Sequence, residues 1–115
     1  MSPFVLAWAR AFVLTLGVEL AVATPLLRGP RAPRLVLVVL ANLASHPAVW
    51  FVFPDLGLGY AAWLTVAELW AVTVEAIAYR VLLPGVDTWR ALGVAVAANA
   101  ASLAVGLALR AAGLA

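Results

Sequence analysis

Cysteine and lysine are both missing from this 115-residue sequence, and acids are scarce, with three glutamates and two aspartates. Without cysteine there can be no disulfide, no thiolate metal site and no cysteine nucleophile. With one histidine there is no bis-histidine haem site. The shortage of charge is the most consequential absence. Charged residues make up 10% of the chain and hydrophobic ones 67%, with a mean hydropathy of +1.12. Five acids and seven arginines cannot cover a soluble domain of this size with polar surface. Lipid has to replace the missing water-facing surface, so the chain is expected to be an integral membrane protein with the bilayer as its main partner.

What is present fits that class. A spanning helix needs ~20 mostly apolar residues, and four segments meet the requirement: Pro3 to Leu27, Arg34 to Phe53, Gly59 to Leu83 and Thr88 to Leu109. The expected fold is all-α, a single antiparallel bundle of four transmembrane helices. The connections between them are short and carry Pro or Gly, so consecutive helices should be antiparallel neighbours. The first segment is too long for a signal-peptide core and has no basic residue before it, so it is expected to be a helix of the bundle.

The pI near 9.9 could suggest nucleic acid. The arginines instead sit at the ends of the expected helices, where they anchor to the membrane interface, so no nucleic-acid partner is expected. Exclusive use of Arg over Lys, with abundant Ala and Gly, points to a GC-rich bacterial or archaeal genome and so to a prokaryotic inner membrane. Arg28, Arg31 and Arg34 surround the first connection, and Arg80 and Arg90 flank the third. The second connection carries Asp55 and no basic residue. Those two arginine-rich connections should be cytoplasmic and both termini outside, with Arg10 and Arg110 counting against this. Trp50, Tyr60 and Trp63 near the outer connection and Trp89 near the inner one occupy anchor positions first and ligand-stacking positions second. Ala98, Ser102 and Gly106 recur at four-residue spacing on helix four, a pattern expected of a close-packing face within the bundle or between subunits.

The functional signal lies in residues that a lipid-facing helix should not contain. Thr15 and Glu19 fall on helix one, Asn42 and His46 on helix two, Thr65, Glu68, Glu75 and Tyr79 on helix three, and Asn99 and Ser102 on helix four. Spacings of three, four and seven put each set on one face of its helix. At ~1.5 Å rise per residue, Glu19, Asn42 and Glu75 lie roughly 10–12 Å from the first- and third-connection ends, and His46 and Asn99 roughly 15–17 Å. The four faces can therefore meet in one polar zone. Asn42, Asn99 and Ser102 could serve only as interhelical hydrogen-bond glue, worth ~1 kcal/mol or less each. His46 could simply bond a backbone carbonyl. Pro47 frees the carbonyl of Leu43 beside Asn42 and His46, and Pro25 frees that of Ala21 near Glu19.

The glutamates are harder to explain by packing, because an ionisable group at mid-bilayer costs several kcal/mol and by default marks a pathway or site. Arg80 could reach back to Glu75, but Glu19 and Glu68 have no cationic partner in the sequence, so each must hold a proton or a cation. Two functional expectations follow. In the first, the carboxylates exchange a proton for a small cation in a carrier or channel, which needs a homo-oligomer because four helices enclose little space. In the second, Glu19, His46 and Glu75 ligate a divalent metal ion, with Glu68 as base for a metal-bound water. No HExxH pair and no nucleophile beside a base is present, so transport is favoured over catalysis. A third expectation is an accessory subunit whose polar residues only specify packing.

In length, in four-helix plan and in an early membrane glutamate, the chain resembles the small multidrug resistance transporters. Glu19 in Gly17-Val18-Glu19-Leu20 is similar to that family's essential glutamate, and Tyr60 and Trp63 in Gly59-Tyr60-Ala61-Ala62-Trp63 to its substrate-facing aromatics. The resemblance implies Glu19 as the coupling carboxylate, while Glu68, Glu75 and His46 are additions to that family's pattern. A second resemblance rests on Asn42-Leu-Ala-Ser45-His46-Pro47-Ala-Val-Trp50, followed by Glu68, Glu75 with Tyr79, and Asn99-Ala-Ala-Ser102 with Gly106. This is similar to a group of small uncharacterised bacterial membrane proteins with N-x-x-[ST]-H-P-x-x-W in the second helix. It implies that the polar stripe acts as a unit without naming a reaction.

Overall fold

The computed structural model describes residues 2–114, and it is all-helical. Four helices run in order, α1 Pro3–Leu26, α2 Arg31–Phe51, α3 Tyr60–Leu82 and α4 Thr88–Ala111, with a 3-10 turn at Phe53–Leu56. All four are long and apolar enough to cross a membrane. The molecule measures 40 × 27 × 26 Å, and at ~1.5 Å per residue a helix of 24 residues exceeds the ~30 Å of hydrocarbon it has to span.

Local chemistry sets the helix ends. Ser2 caps α1 by accepting from the Val5 N–H at 3.1 Å, and Pro3 sits in the first turn, where no N–H is needed. Asp87 caps α4 by accepting from the Arg90 N–H at 2.8 Å. After α1 and α3 the chain turns at Gly29 (φ 107°) and Gly85 (φ 82°), a left-handed conformation that favours glycine. Helix α2 starts at Arg31, three residues earlier than its hydropathy suggests, because Pro33 still lies in the first turn, where its missing N–H does no harm.

Among the described residues the helix backbones form a ring in chain order, α1 against α2, α2 against α3, α3 against α4 and α4 against α1, and only side chains reach across the diagonals. Two indole donors tie α3 to α2: Trp63 Nε1 to the Val49 carbonyl at 3.2 Å and Trp70 Nε1 to the Ser45 carbonyl at 3.0 Å. At the end carrying the α1–α2 and α3–α4 connections, two arginines serve the exposed carbonyls of α1. Arg34 Nη1 donates to Thr24 O at 2.5 Å and Leu27 O at 3.3 Å, and Arg90 Nη1 donates to Leu26 O at 2.8 Å. Cations at a helix C-terminus answer both the unsatisfied carbonyls and the helix dipole. Arg34→Ala is therefore expected to lower stability by about 1–2 kcal/mol. Reversible unfolding in mixed detergent micelles, followed by tryptophan fluorescence, measures the loss.

Packing is uneven along the bundle. The apolar core consists of residues such as Ala23 of α1 and Leu27 just beyond it, Leu37 and Val38 of α2, Leu83 beyond α3, and Val94, Ala95 and Ala98 of α4. All of them lie between the two-connection end and the level of Glu19 and Glu75. Among the described residues from that level to the end bearing both termini, only Ser45 and Ala67 are buried. The bundle is filled at one end and open at the other.

Candidate functional site

Five polar side chains meet where the packed half ends. Glu19 and Glu75 are fully buried, as is Tyr79, and Asn42 and Asn99 are nearly so. Each of the four helices contributes at least one of them. Spacing explains the set on α3, because Glu75 and Tyr79 are one turn apart on one face. The Glu75 carboxylate accepts from Asn99 Nδ2 and, at 3.5 Å, from the Tyr79 hydroxyl. Asn99 Nδ2 also donates to Ala95 O at 2.8 Å on its own helix, and Asn42 Nδ2 donates to Val38 O at 2.9 Å in the same way. Glu19 lies beside Glu75 and Asn42, yet neither of its carboxylate oxygens has a hydrogen-bond partner. A buried polar atom without a partner costs about 1–3 kcal/mol, more if charged, so Glu19 is the least satisfied of the five.

Beyond this group the open half encloses a cavity of about 620 Å³. Asn42, Asn99, Ser45 and Glu68 line its inner part, His46, Thr15 and Ser102 its sides, and Trp50, Tyr60, Trp63, Arg10 and Arg110 the end towards the termini. Glu68 is only half-buried, one carboxylate presented to the cavity two turns above Glu75. Arg110 Nη1 reaches the Tyr60 hydroxyl at 3.4 Å, and the Tyr60 and Trp63 rings lie 5.9 Å apart. These aromatics combine the two positions open to them in the sequence, close to a helix end and on a cavity wall. Trp89 is 80% exposed and takes no part.

No family model, curated protein or solved structure matches this chain. The site is therefore read from its own chemistry.

Several sequence expectations change. Arg80 does not reach Glu75; its Nε bonds Thr88 Oγ1 at 3.2 Å, because Glu75 points into the bundle and Arg80 out of it. The metal set of Glu19, His46 and Glu75 does not assemble. Among the described residues, no three side chains of the ligating types His, Asp and Glu come together in a group able to hold a metal ion. His46 is turned instead towards α1, where its Nδ1 accepts from Trp8 Nε1 at 3.1 Å and its ring meets Phe12 edge-on at 5.4 Å. Its bonding partner is thus an indole, not a backbone carbonyl. Thr65 is exposed and bonds the Ala61 carbonyl of its own helix at 2.8 Å, outside the site. The small-residue stripe divides. Ala98 packs in the core, whereas Ser102 and Gly106 line the cavity, and a Cβ added at Gly106 would meet nothing within 4 Å. Smallness there keeps space open and does not bring the helices of one chain together.

One signal for the geometry lies in the sequence as an internal repeat. Val18-Glu19 on α1 is followed 23 positions later by Asn42-Leu-Ala-Ser45, and Val74-Glu75 on α3 is followed 24 positions later by Asn99-Ala-Ala-Ser102. The structure respects the match. Both glutamates are fully buried, both asparagines bond the carbonyl four residues back, and Leu27 and Leu83 are buried just before the paired glycine turns. With the helices in a ring, α1 lies diagonally opposite α3, and α2 opposite α4. The two helical hairpins are therefore related by an approximate twofold along the bundle. That repeat places Glu19 opposite Glu75, whereas hydropathy places them only at equal depth.

Proposed function

We propose that this protein is a small membrane carrier, working as an oligomer, in which a carboxylate site at the blind end of a cavity links transport to a proton or small cation. The observation that carries this reading is the uneven packing: a solid half-bundle, an open half, and the unpartnered Glu19 with Glu75 at the boundary. Access from one side to a site of ionisable groups, with the other side sealed, is what one state of an alternating carrier requires. A carboxylate without a bonding partner needs a proton or a cation in such surroundings. If the arginine-rich connections are cytoplasmic, in a prokaryotic inner membrane, the cavity opens outwards. Oligomerisation would use the apolar outer faces, because one chain encloses space for a small ligand only.

The divalent-metal reading has no comparable support, since His46 is turned to Trp8 and does not join Glu19 and Glu75. Cavity filling tests the carrier reading. Gly106→Leu puts bulk where the structure has free space, so the protein should fold normally. Proton or sodium flux into proteoliposomes, read by an internal pH dye or by isotope, is expected to fall to the level of empty liposomes. A folded Gly106→Leu protein with wild-type flux would remove the cavity from the pathway. If wild-type protein conducts nothing under a proton or sodium gradient, the polar residues serve packing alone.

A further inference from the structure

We propose that Glu19 and Glu75 form a single twofold-related carboxylate pair that holds one proton between them, the coupling ion of the carrier reading on which this rests. The geometry supplies three reasons. The pair is fully buried and the two carboxyls face each other. Two ionised carboxylates have no donor to place between them, and like charges at such range do not both ionise readily. The bonding is also lopsided. Glu75 receives donors from Asn99 and Tyr79, as an ionised carboxylate would require, whereas Glu19 receives none. A proton on Glu19, donated to Glu75, completes the bonding of the group and leaves one negative charge, located where the two donors are.

The other groups around the pair fit this assignment. From α3, Glu68 and Tyr79 face it, Glu68 adding a further acid and Tyr79 a donor. From α2 and α4 the neighbours are the uncharged carboxamides of Asn42 and Asn99. His46, further along α2, is engaged by Trp8. Of the arginines at the packed end, Arg34 and Arg90 are engaged on α1 carbonyls and Arg80 on Thr88, and Arg28 and Arg31 lie exposed. Tyr79 is the residue that breaks the twofold, since its counterpart on α1 is Ala23. It is a positioning residue that fixes the charge on Glu75. When the proton leaves to water in the cavity, two carboxylates remain and a cation must take its place, so one proton exchanges for one positive charge.

The three glutamates of the chain make the test direct. The full-length protein is labelled with 13C at the glutamate carboxyls, reconstituted in lipid bilayers, and its carboxyl signals are recorded by solid-state NMR across a pH series. Glu68→Gln identifies the Glu68 signal by its loss. At neutral pH the remaining two signals are expected to show one protonated and one ionised carboxyl, or one exchange-averaged pair, with one proton lost per chain as they titrate together. Glu19→Gln should remove the protonated signal and leave an ionised Glu75, and Tyr79→Phe should move protonation from Glu19 towards Glu75. Once Glu68 is assigned, two protonated or two ionised carboxyls would overturn the pair, and three protonated or three ionised carboxyls in the wild type would do so with no variant needed to fold. Flux is a separate readout. A shared proton without flux removes the carrier and keeps the pair, whereas flux with two independently titrating carboxyls does the reverse.

Discussion

Glu19→Gln is expected to abolish proton- or cation-linked flux while leaving the bundle folded. The substitution keeps the volume and shape of a fully buried side chain and replaces a titratable oxygen with an amide that cannot release a proton. Stability should hold or improve, because the amide N–H of the new Gln can take over the donation to Glu75 and Glu19 accepts no hydrogen bond that the change would break. Flux in proteoliposomes, alongside unfolding in detergent, separates the two effects. Activity falling to the level of empty liposomes with an unchanged or raised unfolding midpoint is the expected combination. Wild-type flux in Glu19→Gln would contradict a coupling role for Glu19, and a loss of flux that follows a loss of fold would reduce that role to packing.

The largest stability effect is expected from Asn99→Leu. Asn99 connects α4 to α3 through its bond to Glu75, and the near-isosteric leucine removes a donor from a buried carboxylate without leaving a cavity. Stranding a buried charged group of this kind costs about 2–4 kcal/mol. Asn42→Leu is a useful contrast. Its Nδ2 bonds only the Val38 carbonyl of its own helix, so the loss should be about 1 kcal/mol or less. Adding Glu75→Leu to Asn99→Leu should restore part of the stability, since it removes the stranded carboxylate while leaving the Tyr79 hydroxyl and Glu19 without their partner. If Asn42→Leu and Asn99→Leu destabilise equally, and the second substitution restores nothing, Glu75 does not depend on Asn99.

Most of the fold was legible in the sequence. Four apolar stretches separated by Pro and Gly leave few alternatives in lipid, where every backbone polar group has to be satisfied within its own helix. The inward polar residues were legible as well, because Glu19, Asn42 and Glu75 share a depth and Asn99 lies about one turn further along. Periodicity could not say which of them touch. It gives a face for each helix, but not the rotation of one helix against the next, so Arg80 was a plausible partner for Glu75 until the structure turned it outwards to Thr88. The same limit hid Trp8, an apparently lipid-facing residue that holds His46 and so keeps it from the carboxylates. Nor does hydropathy distinguish a filled half-bundle from an open one. Val38, Ala95 and Ala98 are buried whereas Ser102 and Gly106 border space, although all five are small or modest in size. The Glu-to-Asn repeat was the one sequence feature able to place Glu19 opposite Glu75.

The central claim is that the bundle is open to water at the end bearing its termini and sealed at the other. The natural absence of cysteine allows each position to be tested alone, by Ser102→Cys and Gly106→Cys in the cavity and Leu37→Cys and Val94→Cys in the packed half. Each protein in sealed liposomes of known orientation is exposed to a membrane-impermeant thiol reagent from either side. Rapid labelling of the Ser102→Cys and Gly106→Cys proteins from the side of the termini only, with protection of the other two from both sides, is the expected result. Equal protection of all four, or labelling of the Leu37→Cys and Val94→Cys proteins from the opposite side, would contradict it.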